Sequence, residues 1–266
     1  MSDDASPIQG IDTSVPRSAR VWNYWLGGKD NYTVDRAAAD AYAEIFPGIV
    51  DIALVSRYWL ERTVRYLAGE AGGVQFLDVG SGLPAADNTH EIAQRITPGA
   101  RIVYVDHDPL VLAHARGLLT STPEGAAAFV HADLREPEKI LEGAARTLDL
   151  TRPVALMLVG VLGHIEDYDE ARSIVNALMD GLPSGSFLAL YDGIDTELYV
   201  RANNFYNQQG GIPYVSRSPG QIAGYFDRLA LVPPGITELS QWRPERLDVG
   251  RPTTAVDAHG GVARKP

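Results

Sequence analysis

The segment Val74-Gln-Phe-Leu-Asp-Val-Gly-Ser-Gly82 limits the folds open to this chain more than any other. Gln75 to Val79 is short, apolar and followed by glycines, the pattern of a central strand in a parallel sheet covered on both faces. Gly80 and Gly82 then allow a tight turn in which the backbone can approach a ligand with no Cβ in the way. A dinucleotide-binding turn has G-x-G-x-x-G at this point, so that a pyrophosphate rests on the N-terminus of the next helix. Here Leu83-Pro84 follows Gly82, and the third glycine is missing. Asp78, at the strand end, would repel a phosphate but would hold the ammonium group of an amino acid. Taken alone, the segment also fits a plain strand-to-helix turn that needs small residues.

Two further segments lie at informative distances. In Arg101-Ile-Val-Tyr-Val-Asp-His-Asp108, the β-branched and aromatic run Ile102 to Val105 reads as the next buried strand. It follows a helix over Asn88 to Ile96 that the breaker Thr97-Pro98-Gly99 closes. Asp106 then stands where an acid accepts hydrogen bonds from both ribose hydroxyls of a nucleoside in a βαβ unit. Asp108-Pro109 fits the start of a helix over Leu110 to Leu119, with the aspartate as cap and proline at its first position. In Ala128-Phe-Val-His-Ala-Asp-Leu134 a third strand ends in an acid. Asp133 would there face the adenine edge and the Leu134 N–H a ring nitrogen, although Asp133-Leu-Arg-Glu-Pro also suits an ordinary turn. The three strand tips together point to S-adenosylmethionine ahead of NAD.

The chain has 266 residues, enough for one α/β domain with an N-terminal addition. A formal net charge of −11 argues against a nucleic-acid partner, because phosphate binding needs a basic surface. No cysteine is present, which leaves no disulfide frame and no thiolate metal site, and no metal ligand set is expected. The opening Met-Ser-Asp-Asp-Ala-Ser-Pro does not read as a signal peptide, and no apolar run approaches the ~18–20 residues of a membrane span. A cytoplasmic protein is expected. Residues 1–16 read as a mobile tail, 17–70 as a helical cap with helices over Ala19–Leu26, Val34–Phe46 and Asp51–Leu67, and 74–266 as the sheet core. Strands at Val154–Val159 and Phe187–Tyr191 flank a helix over Tyr168–Asp180. Asn, Gln, Tyr and Gly dominate Asp195 to Ser216, which reads as an insertion above the sheet. Ser218 and Gln221 form a capping box for a following helix, and Ile236–Trp242 with Gly261–Lys265 read as the final strands.

These strand tips resemble those of the class I S-adenosylmethionine-dependent methyltransferases. A closer resemblance covers Pro16 to Pro266, through Pro16-Arg-Ser-Ala-Arg-Val-Trp-Asn-Tyr-Trp-Leu-Gly-Gly-Lys-Asp-Asn-Tyr-Thr-Val-Asp-Arg36, Phe76-Leu-Asp-Val-Gly-Ser-Gly-Leu-Pro84, Asp106-His-Asp-Pro109, Val232-Pro-Pro-Gly235, Trp242-Arg-Pro244 and Gly260-Gly-Val-Ala-Arg-Lys-Pro266. It is to a bacterial methyltransferase family long catalogued as a domain of unknown function. Ser56-Arg57 departs from the Asn-Arg of that pattern. The resemblance implies an α/β fold with a Rossmann-like seven-stranded sheet, its last strand antiparallel at the edge beside the sixth. It also implies S-adenosyl-L-methionine as donor.

On this reading Asp78, Gly80, Ser81 and Gly82 hold the methionine amine, Asp106 the ribose, and Asp133 with Leu134 the adenine, while His107 stacks on or lines the adenosine. Gly160, on the loop after the fourth strand, joins the donor-binding set. Arg20 and Lys29, with Asn31 beside them, are candidates for the methionine carboxylate. Trp22, Tyr24, Trp25 and Tyr32 fit either a lid over the ligands or helices packed on the sheet. His164, where the carboxyl ends of the strands face a ligand, could accept a proton from the methyl acceptor or could simply bond to backbone. Tyr191 and Asp192, at the end of the fifth strand, are weaker candidates for the acceptor side. The expected reaction is O- or N-methylation of a small molecule. The competing readings are a non-catalytic S-adenosylmethionine binder and an NAD(P)-dependent oxidoreductase.

Overall fold

The computed structural model describes residues 12–72, 75–85, 87–118, 120–244 and 254–266. Most of the expected tail, 1–16, lies outside them, as does Leu119. Three helices come first: α1 (Ser18–Trp25), α2 (Thr33–Ile45) and α3 (Gly48–Arg65), the last running into a π-helical turn at Tyr66–Glu70. Strands and helices then alternate: β1 (Gln75–Val79), α4 (Thr89–Ile96), β2 (Arg101–Asp106), α5 (Pro109–Leu118), β3 (Ala126–His131), α6 (Pro137–Ala144), β4 (Ala155–Val159), α7 (Tyr168–Asp180) and β5 (Phe187–Gly193). The C-terminal part carries α8 (Glu197–Gln208), α9 (Pro219–Gly224), β6 (Ala230–Leu231), β7 (Thr237–Glu238) and β8 (Ala258–Arg264).

The sheet has the order β3-β2-β1-β4-β5-β8-β6, with β7 also paired to β8. β1 to β5 are mutually parallel, and β8 runs antiparallel to β5, β6 and β7. The order reverses between β1 and β4, the place where an open α/β sheet leaves a crevice outside its strand ends.

Two expectations need correcting. The sheet has eight strands rather than seven: the strand expected over Ile236–Trp242 is reduced to β7, followed by a 3-10 turn at Leu239–Gln241, and the dipeptide β6 is added before it. Pro233 and Pro234 lie between β6 and β7, and a residue with no N–H cannot extend a ladder. The reversed strand is not at the edge either: β8 lies between β5 and those short strands.

Both sheet faces are buried, as the near-continuous apolar strands require. Phe76, Ile102, Met157 and Ala189 face α3, whose Ile52, Val55, Trp59 and Val64 are buried against them. Leu77, Val103, Leu156 and Leu188 face the opposite side, where Val175 and Leu178 of α7 pack. Each successive strand residue thus changes face, with period two. Arg62 ties the C-terminal segment to α3, donating from Nε to the Trp242 carbonyl at 2.9 Å and from a terminal nitrogen to that of Leu239 at 2.7 Å.

Candidate active site

A cavity of about 640 Å³ opens over the tips of β1, β2, β4 and β5, between the sheet and α1, α2, α3 and α8. Among the described residues, its floor includes Asp78, Gly80, Ser81, Gly82, Asp106, His107, Gly160 and His164. Eight of the candidates for donor binding and proton transfer therefore converge on one space, and Trp22, Trp25 and Tyr191 line it as well.

The glycines are fixed by conformation and by crowding. Gly80, Gly82 and Gly160 have φ of +75°, +64° and +68°, a region that L side chains enter only with strain. A Cβ on Gly80 would collide with Val161, and one on Gly160 would come within 2.7 Å of the Tyr191 hydroxyl. The β1, β4 and β5 loops therefore interlock through positions where no side chain fits. A Cβ on Gly82 would meet no protein atom within 4 Å, so this backbone faces open space at the cavity floor.

The two acids differ in environment. Asp106 holds the glycine turn: one oxygen accepts from the Gly82 N–H at 2.9 Å and the other from the Asp108 N–H at 3.0 Å. A carboxylate has about four lone-pair sites, so acceptor capacity remains for a diol. Asp78 is buried and accepts from the Thr89 hydroxyl at 2.6 Å. Burial pushes its carboxyl up to about 6; the Thr89 bond and the Arg57 charge oppose that rise, and the Asp106 charge adds to it. A cation placed beside Asp78 would favour its ionised form.

His164 donates through Nδ1 to the Pro213 carbonyl at 2.8 Å, since a carbonyl can only accept. Burial holds this imidazole below its ordinary range. It is therefore neutral near pH 7, with Nε2 as the acceptor nitrogen. Residues 213–217 strap the loop that carries it. The Val215 N–H donates to the Gly163 carbonyl at 2.8 Å, and Arg217 donates to the carbonyls of Ile165 and Glu166. The Tyr214 hydroxyl donates to Asp192 at 2.5 Å. Asp192 is fully buried on β5, and burial pushes its carboxyl up to about 6.

Five candidates for donor binding are not brought into the cavity, and Asp192, Tyr24 and Tyr32 do not line it either. Arg20 is 1% exposed: its Nε donates to Asp35 at 3.0 Å and its terminal nitrogens to the carbonyls of Asp12 and Val15. Asp35 also accepts from the Arg17 and Tyr32 N–H groups, so this pair fastens α1 to the start of α2, buried away from the cavity lining. Asn31 is likewise consumed, donating to Asn23 and the Gly28 carbonyl and accepting from Arg36. Lys29 is exposed and does not line the cavity. β3 stops at His131, before Asp133, whose carboxylate caps the turn by accepting from the Arg135 N–H at 2.8 Å. Leu134 is buried in the core on the α7 side of the sheet.

Other lining residues were not singled out from sequence. Arg57 of α3 is the only arginine or lysine lining the cavity among the described residues, and it donates to the Asp87 carbonyl at 2.9 Å. Asn23, Tyr199, Asn203 and Tyr206 line it too. The last three recur at helical spacing on one face of α8, a period present in a segment that composition alone marked as irregular.

A parallel sheet with a reversed strand beside β5, an acid before a glycine turn and a second acid at the next strand tip define a Rossmann-like methyltransferase. The chain belongs to the S-adenosyl methyltransferase family, whose family model matches residues 4–266, and it is an S-adenosylmethionine-dependent methyltransferase. A DUF574-family protein from Streptomyces avermitilis MA-4680 is similar at 41% identity, with 96% of this chain and 99% of that one covered and a TM-score of 0.91. A protein from Thermobifida fusca YX, provisionally assigned as a methyltransferase, is 40% identical over 98% and 99% of the two chains, with a TM-score of 0.88. The plantazolicin methyltransferase BpumL, solved with S-adenosylhomocysteine, shares the fold at 13% identity, a TM-score of 0.51, and coverage of 93% and 96%. No curated protein matches the chain. The site fits the donor on its own chemistry: a buried acid that a cation would ionise, a strand-tip carboxylate with acceptor capacity left, and a glycine backbone bare of side chain.

Proposed function

We propose that this protein methylates a small molecule at oxygen or nitrogen, holding S-adenosylmethionine over the β1 and β2 tips. The observation that carries this reading is the convergence of Asp78, the Gly80–Gly82 turn and Asp106 on one cavity that continues under the helical cap. The donor supplies an electrophilic methyl group on a sulfonium. The rest is positioning: well-aligned reactants can gain on the order of 7–11 kcal/mol in barrier reduction.

In this assignment Asp78 receives the amino acid's ammonium, Arg57 its carboxylate and Asp106 the ribose hydroxyls. Arg57 takes the role that Arg20, Lys29 and Asn31 are not placed to fill. Its proximity to Asp78 supports that: each carries the other's charge as a favourable influence. His107, more than half exposed beside Asp106, lies on the adenosine side. His164 Nε2 accepts a proton or hydrogen bond from the methyl acceptor. Residues 17–70 act as the cap and 74–266 as the core of one domain, located in the cytoplasm.

The test is calorimetry with S-adenosylhomocysteine. Asp106→Ala weakens binding at least tenfold, because charge-assisted bonds to the ribose are worth about 1.5–3 kcal/mol each. Unchanged affinity would remove the assignment.

A further inference from the structure

The cavity runs beyond the donor residues into a compartment whose walls are aromatic. Trp22, Trp25, Tyr42, Tyr199, Tyr206 and Tyr214 all line it, contributed by α1, α2, α8 and the strap before Arg217. The tyrosine hydroxyls are engaged elsewhere or turned away. Tyr42 donates to Asn203 at 2.5 Å, and Tyr214 donates to Asp192. The Tyr199 hydroxyl packs where a Cβ on Gly193 would fall. The Tyr206 hydroxyl is itself buried and has no hydrogen-bond partner among the described residues. These residues therefore present rings, not hydroxyls, to a guest.

The charges point the same way. Arg57, the single lining arginine or lysine among the described residues, stands at the donor end, where Asp78 feels its charge. Asp30, Glu91 and Asp108 are also at the walls. An anionic guest in this compartment would be desolvated against the negative faces of aromatic rings, with no lysine or arginine there among the described residues to meet it. A flat, uncharged ring would instead gain from edge-to-face and offset contacts with each well-placed aromatic neighbour, beyond the area it buries. His164, edge-on to Tyr214 at 5.2 Å between ring centres, lines the same cavity with its Nε2 set as acceptor. Its natural complement is a hydroxyl donor.

We infer that the methyl acceptor is an uncharged hydroxyaromatic compound, its ring held by the aromatic walls and its O–H directed to His164 Nε2. This rests on the proposed function for the placement of the donor, while the compartment itself can be probed without it.

The experiment measures binding of three probes to the full chain at pH 7 by calorimetry, with and without S-adenosylhomocysteine: 2-naphthol, its saturated counterpart 2-decalol, and 2-naphthoate. The expected result is that 2-naphthol binds at least tenfold tighter than either of the others. 2-Naphthoate or 2-decalol binding within threefold of it, or no 2-naphthol binding up to its solubility, would overturn the inference. Trp22 is half-buried, so Trp22→Leu is expected to fold, to melt cooperatively and to weaken 2-naphthol at least fivefold. Trp22→Phe keeps a ring and stays within twofold of the unaltered protein. A Trp22→Leu protein that binds 2-naphthol unchanged counts against the ring contact, and the probe series on the unaltered chain decides the matter even if this variant does not fold. Selective 2-naphthol binding without any S-adenosylhomocysteine binding would uphold the aromatic compartment and refute the donor assignment instead.

Discussion

Asp78 and Asp106 lie one strand apart, yet burial separates their chemistry. Asp106 keeps backbone donors on both oxygens, whereas Asp78 is enclosed and its carboxyl is pushed up to about 6. A bound ammonium prefers the ionised carboxylate, so affinity for S-adenosylhomocysteine rises as pH climbs through about 6 and levels off above it. Calorimetry at pH 5 and pH 7.5 should show that rise in the unaltered protein and lose it in Asp78→Asn; a flat profile in the unaltered protein would contradict the ammonium assignment. Without ligand the sign reverses. The unfolded chain ionises Asp78 first, so this residue's contribution to stability is present below about 4 and lost as pH rises towards 6. In the proposed mechanism His164 acts on the acceptor rather than the donor. His164→Ala should therefore leave S-adenosylhomocysteine affinity within twofold while turnover falls about 10²–10⁴-fold, as removal of a general base does. A matching loss of donor affinity would reassign it.

At the scale of elements, the N-terminal helices owe their arrangement to a buried pair rather than to ligand contacts. Arg20 and Asp35 are 1% and 0% exposed and 2.9 Å apart. Breaking such a pair strands a charge in the core, so Arg20→Ala should lower unfolding free energy by about 3–5 kcal/mol in denaturant titrations. Its effect on donor affinity should be small in the protein that remains folded. The strap at 213–217 makes a parallel prediction. Tyr214→Phe deprives the buried Asp192 of its hydroxyl donor and should cost about 1–3 kcal/mol of stability. Much of this architecture was legible beforehand. β1 and α7 fall on the residues that periodicity assigns, and Ser218 caps α9 through the Gln221 N–H. What escaped had physical reasons. α8 is rich in Asn and Tyr, poor helix formers, and is held by packing against α2 and the cavity rather than by propensity. Asp133 follows a strand at the right distance, but it opens a turn of its own, accepting from the Arg135 and Glu136 N–H groups while its N–H donates to the Glu136 carboxylate, and it does not line the cavity. Arg20 and Arg57 are both arginines in N-terminal helices; only the fold shows that one meets Asp35 and the other faces Asp78.

At the scale of the whole molecule, the proposal puts the donor on the sheet's strand tips and the acceptor against the helical cap, so binding at the floor should be felt globally. A ligand at one hundred times its dissociation constant adds about 2.7 kcal/mol of stability. For a chain of this size that corresponds to a rise of roughly 5–10 °C in melting temperature with S-adenosylhomocysteine. NAD should give no such rise, because the turn after β1 lacks the third glycine and Asp78 opposes a phosphate. Among the described residues no helix is long and apolar enough to cross a membrane. The central claim is that neighbouring strand-tip carboxylates grip an amino-acid nucleoside, and a crystal structure of the S-adenosylhomocysteine complex tests it most directly. The account requires both ribose hydroxyls about 3 Å from the Asp106 carboxylate, with the ammonium on the Asp78 side. An ordered ligand whose ribose lies away from Asp106 would contradict it.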